Sequence, residues 1–140
     1  MNINGKLKGL ISERKMLFTL WVFVMFNYLY CDVMSVMDPQ QMKEIATGQV
    51  GGIQMTPEFL LGAAILMEIP IGMVLLSRIL PNRANRWTNI IAGTIMTLVQ
   101  LASLFAGSSP TVYYIFFSVI EISCTAFITV YAWKWKEETV

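Results

Sequence analysis

The stretch FLLGAAILMEIPIGMVLLS, residues 59–77, lies between Glu58 and Arg78 and holds one charged residue, Glu68. A bilayer core is about 30 Å thick, and a helix crosses it with about 20 mostly apolar residues. The stretch therefore reads as a membrane-spanning helix, at about residues 58–80. Working outward, the same reading gives spans at about 16–37, 87–107 and 110–133. Lys15 and Lys43 bracket the first of these, and no Lys or Arg falls between Arg86 and Lys134. The expected fold is all-α: an integral membrane bundle of four transmembrane helices forming a single domain over residues 1–140.

Composition agrees. Hydrophobic residues make up 56% of the chain and charged residues only 14%, against about 25% charged in ordinary soluble domains. A net charge of +1 offers no basic surface for nucleic acid, and zero histidines exclude His-based triads and His-ligated metals or haem. The two cysteines, Cys31 and Cys124, form neither a disulfide framework nor a zinc spacing. No metal, cofactor or catalytic set is expected.

The ends of the spans carry recognisable punctuation. Thr56-Pro57-Glu58 and Ser109-Pro110 each place a hydroxyl before a proline, as helix starts do. Gly107 is placed to end the third span. The long connection 38–56 has room for a short amphipathic turn around Met42, Ile45 and Ala46, with Gly51-Gly52 reading as flexible. Lys6, Lys8, Arg14, Lys15, Arg78, Arg83, Arg86, Lys134 and Lys136 all flank one side, and only Lys43 flanks the other. The positive-inside rule then puts both termini in the cytoplasm. Trp21, Trp87, Trp133 and Trp135 fall near those same ends, as an interfacial aromatic belt would.

The residues that hydrocarbon should exclude point to function. Asp32, Glu68 and Glu121 stand in three different spans, with Asn27, Thr97 and Gln100 at comparable depths and Tyr114 toward the outer half. No Lys, Arg or His lies inside any span, so each acid either keeps its own proton or meets a cation that the span does not supply. In the fourth span Tyr114, Ser118, Glu121 and Thr125 fall on one helical stripe. In the second, Gly62, Ile65, Glu68 and Gly72 are read as a shared face turned to the bundle, with Pro70 as a kink beside the acid.

Two resemblances add to this. The segments GAAILMEIPIGMVLLSRILP (62–81), NRWTNIIAG (85–93) and YAWKWK (131–136) resemble an uncharacterised family of four-span bacterial membrane proteins. That likeness implies a bacterial inner (plasma) membrane and no assigned activity. The run Asp32-Val33-Met34-Ser35-Val36-Met37-Asp38-Pro39, with Glu68-Ile69-Pro70, is more faintly similar to the superfamily of sterol isomerases and the sigma-2 receptor. That likeness implies Asp32 facing an amine ligand, with Glu68 lining the same pocket.

The expected function is binding of a lipophilic, cationic small molecule in a bundle cavity. Asp32, Glu68 and Glu121 would line it, and Asn27, Gln100 and Tyr114 would orient the guest. The alternatives are a proton-coupled exporter of small cations acting as a homodimer, and an intramembrane isomerase. The expected partners are the lipid bilayer, that small molecule and a second copy, with no nucleic acid.

Overall fold

A computed structural model describes residues 3–107 and 109–135. Five helices follow in order: α1 (Ile3–Met37), α2 (Pro39–Ala46), α3 (Pro57–Ile79), α4 (Asn82–Ser103) and α5 (Val112–Lys134). Between α2 and α3 lies a two-stranded antiparallel hairpin, β1 (Gln49–Val50) and β2 (Ile53–Gln54). The chain is all-α in class. Three stretches are long and apolar enough to cross a membrane: Ile11–Met37, Pro57–Ile79 and Val112–Lys134.

The four long helices close a ring, with α1 packed on α3 and α5 and α4 packed on α5 and α3. Large apolar side chains crowd the outside, among them Phe26, Leu61, Leu98, Phe116 and Val130. The core between the helices is correspondingly slim. Leu17, Trp21, Val24 and Tyr28 from α1 meet Met73 of α3, Ala92 and Met96 of α4, and Cys124 and Ile128 of α5. That distribution suits a chain solvated by hydrocarbon.

The helix α4 departs from the expected apolar run, because its polar residues point inward. Asn85, Asn89 and Gln100 are buried, while Trp87, Ile91, Leu98 and Leu101 face out. At one end of the bundle these asparagines build a closed polar knot. Trp21 donates its indole N–H to Asn89 Oδ1 at 2.7 Å, and the Ser77 hydroxyl donates to the same oxygen at 3.3 Å. The Asn89 amide donates to Asn85 Oδ1, and the Asn85 amide donates to the Ser77 carbonyl. Trp21 is thus a core residue rather than part of an aromatic belt, and Trp135 is buried too; Trp87 and Trp133 remain exposed.

Basic residues gather at that same end. Arg14 donates to the Arg78 carbonyl and to Asn82 Oδ1, and Arg86 donates to the carbonyls of Ala132 and Trp133. A cation on the last carbonyls of a helix satisfies groups that have no intrahelical donor and complements the helix dipole. Lys136, Glu137 and Glu138 lie outside the described residues.

The opposite end is closed by turns. Asp38 caps α2 by accepting from Gln40 N at 2.9 Å, with Pro39 at the first helical position. Gly51 and Gly52 both have positive φ, 57° and 81°, as a two-residue type I′ hairpin turn requires. They form a defined turn, held by Glu44 Oε2 accepting from Gly51 N, instead of the flexible link that the sequence suggests. Gly107 has φ 80°, and a Cβ there would stand 2.5 Å from the Gly51 carbonyl oxygen. Thr56 caps α3 as expected, accepting from Phe59 N. The fourth expected span begins later than Ser109-Pro110 indicates: α5 starts at Val112, with Thr111 as its cap residue.

The α4–α5 seam is the tightest in the bundle's core. A Cβ on Gly93 would meet Thr129 Oγ1 at 2.5 Å and the Thr125 carbonyl oxygen at 3.0 Å. Gly93→Ala is expected to lower stability by about 1–3 kcal/mol through overpacking. Gly62→Ala, whose added carbon meets nothing within 4 Å, is expected to be neutral or mildly stabilising. Denaturant unfolding of both variants in the same detergent checks this pair; equal effects would refute the close approach.

Candidate functional site

Past the asparagine knot, toward the turn-closed end, the interior becomes polar a second time. The stripe on α5 faces inward as its spacing requires, and Ser118, Glu121 and Thr125 are all buried. Each neighbouring hydroxyl or amide finds a partner on α4. Gln100 Nε2 donates to Ser118 Oγ at 2.9 Å, Thr97 and Thr125 share a hydroxyl–hydroxyl bond of 2.8 Å, and Tyr114 donates to Ser103 Oγ at 2.7 Å. These bonds are what a polar helix pair needs where no water competes.

Glu121 breaks the pattern. Its side chain is 1% exposed, it stands near the middle of α5, and neither carboxyl oxygen has a hydrogen-bond partner. The Tyr28 hydroxyl on α1, 5% exposed, is unpartnered as well. Buried polar groups in folded proteins are nearly always bonded, so these two orphans, like the buried Thr111 and Tyr113 hydroxyls, call for an explanation. One carboxyl and one phenolic hydroxyl are thus left unbonded, whereas Gln100 and Tyr114 are already engaged with Ser118 and Ser103.

On the seam of α1 and α5, one helical turn from Glu121, lies a shallow open groove of about 140 Å³. It is lined by Phe23, Phe26, Asn27, Tyr30 and Phe117. Asn27 is half-buried here and donates to the Phe23 carbonyl of its own helix.

The six residues singled out from the sequence therefore divide. Gln100, Tyr114 and Glu121 share one interior layer, Asp32 stands at its exposed α1 edge, and Asn27 lines the adjoining groove. Glu68 does not join them. The inward residues of α3 are Pro70, Met73 and Ser77, and Glu68 is exposed on the far side of the helix together with Leu61, Ile65 and Leu75. The expected bundle-facing stripe through Gly62, Ile65, Glu68 and Gly72 points outward, because the α3 face containing Met73 and Ser77 makes the packing contacts. Pro70 is buried within an unbroken helix. Ser118 and Thr97 lie in this layer as their stripe and depth suggest, whereas the sequence reads Tyr28 as an interface residue. The i, i+7 spacing of Trp21 and Tyr28 on the α1 core face was the signal that could have placed Tyr28 inside.

Cys31 and Cys124 are both free and buried. Cys124 Sγ lies 3.6 Å from the Leu20 carbonyl oxygen, as a weak donor between α5 and α1.

The chain belongs to DUF6326, a family of unknown function, which it matches over residues 8–140. No curated protein matches it, and no solved structure does.

Orphaned and satisfied polar groups respond oppositely to removal. Glu121→Leu is expected to raise stability by about 1–3 kcal/mol, because an unbonded buried carboxyl is replaced by a packing group. Asn89→Leu is expected to lower it by about the same amount, since Trp21 and Ser77 lose their acceptor. Unfolding midpoints of the two variants decide the matter, and a destabilised Glu121→Leu would mean that the carboxyl has a structural partner.

Proposed function

We propose that this member of the family is a small integral membrane protein that binds a lipophilic, cationic small molecule at the layer around Glu121. The observation that carries the reading is the pair of fully buried, unpartnered acceptors, the Glu121 carboxyl and the Tyr28 hydroxyl. An isolated acid in an apolar interior is stable only with a proton or a cation, and Asp32 nearby favours positive charge further. The sign of the guest follows from these two acids.

Its lipophilic character follows from the route. The groove of Phe23, Phe26, Tyr30 and Phe117 opens on the outer surface of the helix ring, where bilayer hydrocarbon would lie. Aromatic faces attract cations that have already shed water. In this reading Glu121 carries the charge pairing, Tyr28, Tyr114 and Gln100 orient the guest, Asn27 stands at the mouth, and Asp32 holds the outer rim. Glu68 takes no part in this site.

Four spans belong to the proposal. The outward face of α4 is apolar over Trp87, Ile91, Leu98 and Leu101, and its inward polar groups are bonded. A helix with that distribution crosses hydrocarbon without exposing an unsatisfied group, although its average composition is too polar to announce it. The bundle is then one four-span domain. With Arg14, Arg78 and Arg86 at the end shared by both termini, the termini are cytoplasmic. The bacterial inner membrane is proposed from the family likeness.

Two experiments check the parts separately. Titration of nanodisc-embedded protein with a series of amphiphilic tertiary amines is expected to give saturable binding, weakened about tenfold or more in Glu121→Gln and unchanged in Glu68→Gln. Affinity equal to wild type in Glu121→Gln sinks the assignment. For topology, cysteines placed at Arg83 and at Ala106, at the two ends of α4, are expected to react with an impermeant maleimide from the cytoplasmic and the opposite side respectively; labelling of both from one side rules out the four-span arrangement.

A further inference from the structure

The outward position of Glu68 has a consequence independent of the ligand site. Glu68 stands at the midpoint of α3 (Pro57–Ile79), so at about 1.5 Å per residue it is roughly 16 Å from either end of the helix. A glutamate side chain cannot span that distance to reach a headgroup. Around it the face is apolar and open, with Leu61 and Ile65 each 63% exposed and Leu75 and Ile79 each 61%. α3 is also the least enclosed of the apolar helices: 11% of its apolar window is buried, against 28% in the corresponding windows of α1 and α5. One turn from Glu68, a Cβ built on Gly72 meets nothing within 4 Å, so the backbone beside the acid is open to close approach.

We propose that this face of α3 pairs with the same face of a second copy, with Glu68 bonded to Glu68 across a two-fold axis. A carboxyl turned to hydrocarbon has no lipid partner, and only another protein group at the same depth can bond it. An isologous contact supplies such a group automatically, because each residue on the axis meets its own counterpart. Glu68 lies at mid-membrane, so the counterpart is at the same depth. Two carboxylic acid groups are self-complementary: each O–H donates to the carbonyl oxygen of the other, and no counter-ion is required. The bare Gly72 backbone lets the two helices approach closely enough for the short carboxyl side chains to meet. Copies inserted with their basic ends on the same side give a parallel pair, with the two-fold axis along the membrane normal. In each copy α5, which carries Glu121, lies across the ring from α3 behind α1 and α4, so the Glu121 layer is left as it is in the single chain.

The test is self-association in liposomes, read by single-molecule photobleaching as the protein-to-lipid ratio is diluted. Wild type and Glu68→Gln, which keeps a self-complementary amide, are expected to associate. Glu68→Leu is expected to associate about three- to thirty-fold more weakly, the range of a hydrogen bond between membrane helices. Phe116→Leu, on the outer face of α5 and 62% exposed, is expected to match wild type. Gly72→Cys is expected to form a disulfide between copies under mild oxidation in native membranes. A monomer at every density, undiminished association of Glu68→Leu, or crosslinking of Gly72→Cys only to a different protein would each overturn the proposal. Amine binding by Glu68→Leu separates this result from the Glu121 site, which stands or falls by its own titration.

Discussion

Inside a bilayer, a backbone or side-chain polar group has no water to fall back on, and it must find its partner within the protein. Nearly every polar feature of this bundle obeys that constraint. The asparagines of α4 turn inward and bond Trp21 and Ser77, and Gln100, Thr97 and Ser103 bond across to α5. The arginines at the terminal end satisfy helix carbonyls. Among the described residues, the buried side chains left without a partner are the Glu121 carboxyl and the Tyr28, Thr111 and Tyr113 hydroxyls, and Glu68 stands exposed outside the ring. In the proposed reading a small guest answers Glu121 and Tyr28, and a second copy of the chain answers Glu68.

How far the sequence reveals this depends on contrast along the chain. Long apolar runs between charges mark α1, α3 and α5 plainly, and Thr56 and the Met42–Ile45 turn fall where their chemistry requires, whereas Gly107 does not end the third span: α4 stops at Ser103 and Gly107 lies in the turn beyond it. The polar stripe of α5 is legible because Tyr114, Ser118, Glu121 and Thr125 interrupt an otherwise apolar helix on one side only. In α3 the contrast disappears. Between Glu58 and Arg78, Glu68 and Ser77 aside, the helix is apolar all round, so periodicity cannot tell the packed side from the lipid side. The acid is then assigned inward by analogy with its neighbours, and the contacts made by Met73 and Ser77 reverse that assignment. Trp21, Asn85 and Asn89 are hidden for the opposite reason. They lie where headgroup-level residues are expected, and only the packing of three helices shows that they are buried.

The two ends of the interior differ in character as a result. Near the termini, donors and acceptors match within the chain and the knot around Asn89 is closed. The middle layer is matched on the α4–α5 side and unmatched toward α1. Gly93 brings α4 and α5 together at backbone distance, and the Thr97–Thr125 and Gln100–Ser118 bonds hold them there. These two helices form a fixed wall carrying Glu121.

The wall facing it is built differently. Side-chain bonds join α1 to its neighbours through Glu13, Arg14 and Trp21 and at the Leu20 carbonyl. Beyond that point Asn27 and Ser35 donate only to carbonyls of α1 itself. Among the described residues, no side-chain bond ties the Tyr28 to Met37 half of α1 to α5, and that half carries Tyr28, Asp32 and, of the groove, Tyr30. Apolar contact between helices is replaceable by apolar contact with lipid or with a guest, whereas a broken hydrogen bond in hydrocarbon is not. In the proposed reading, moving this half of α1 aside would uncover the Glu121 layer while the bonded knot at the terminal end of the helix stays in place.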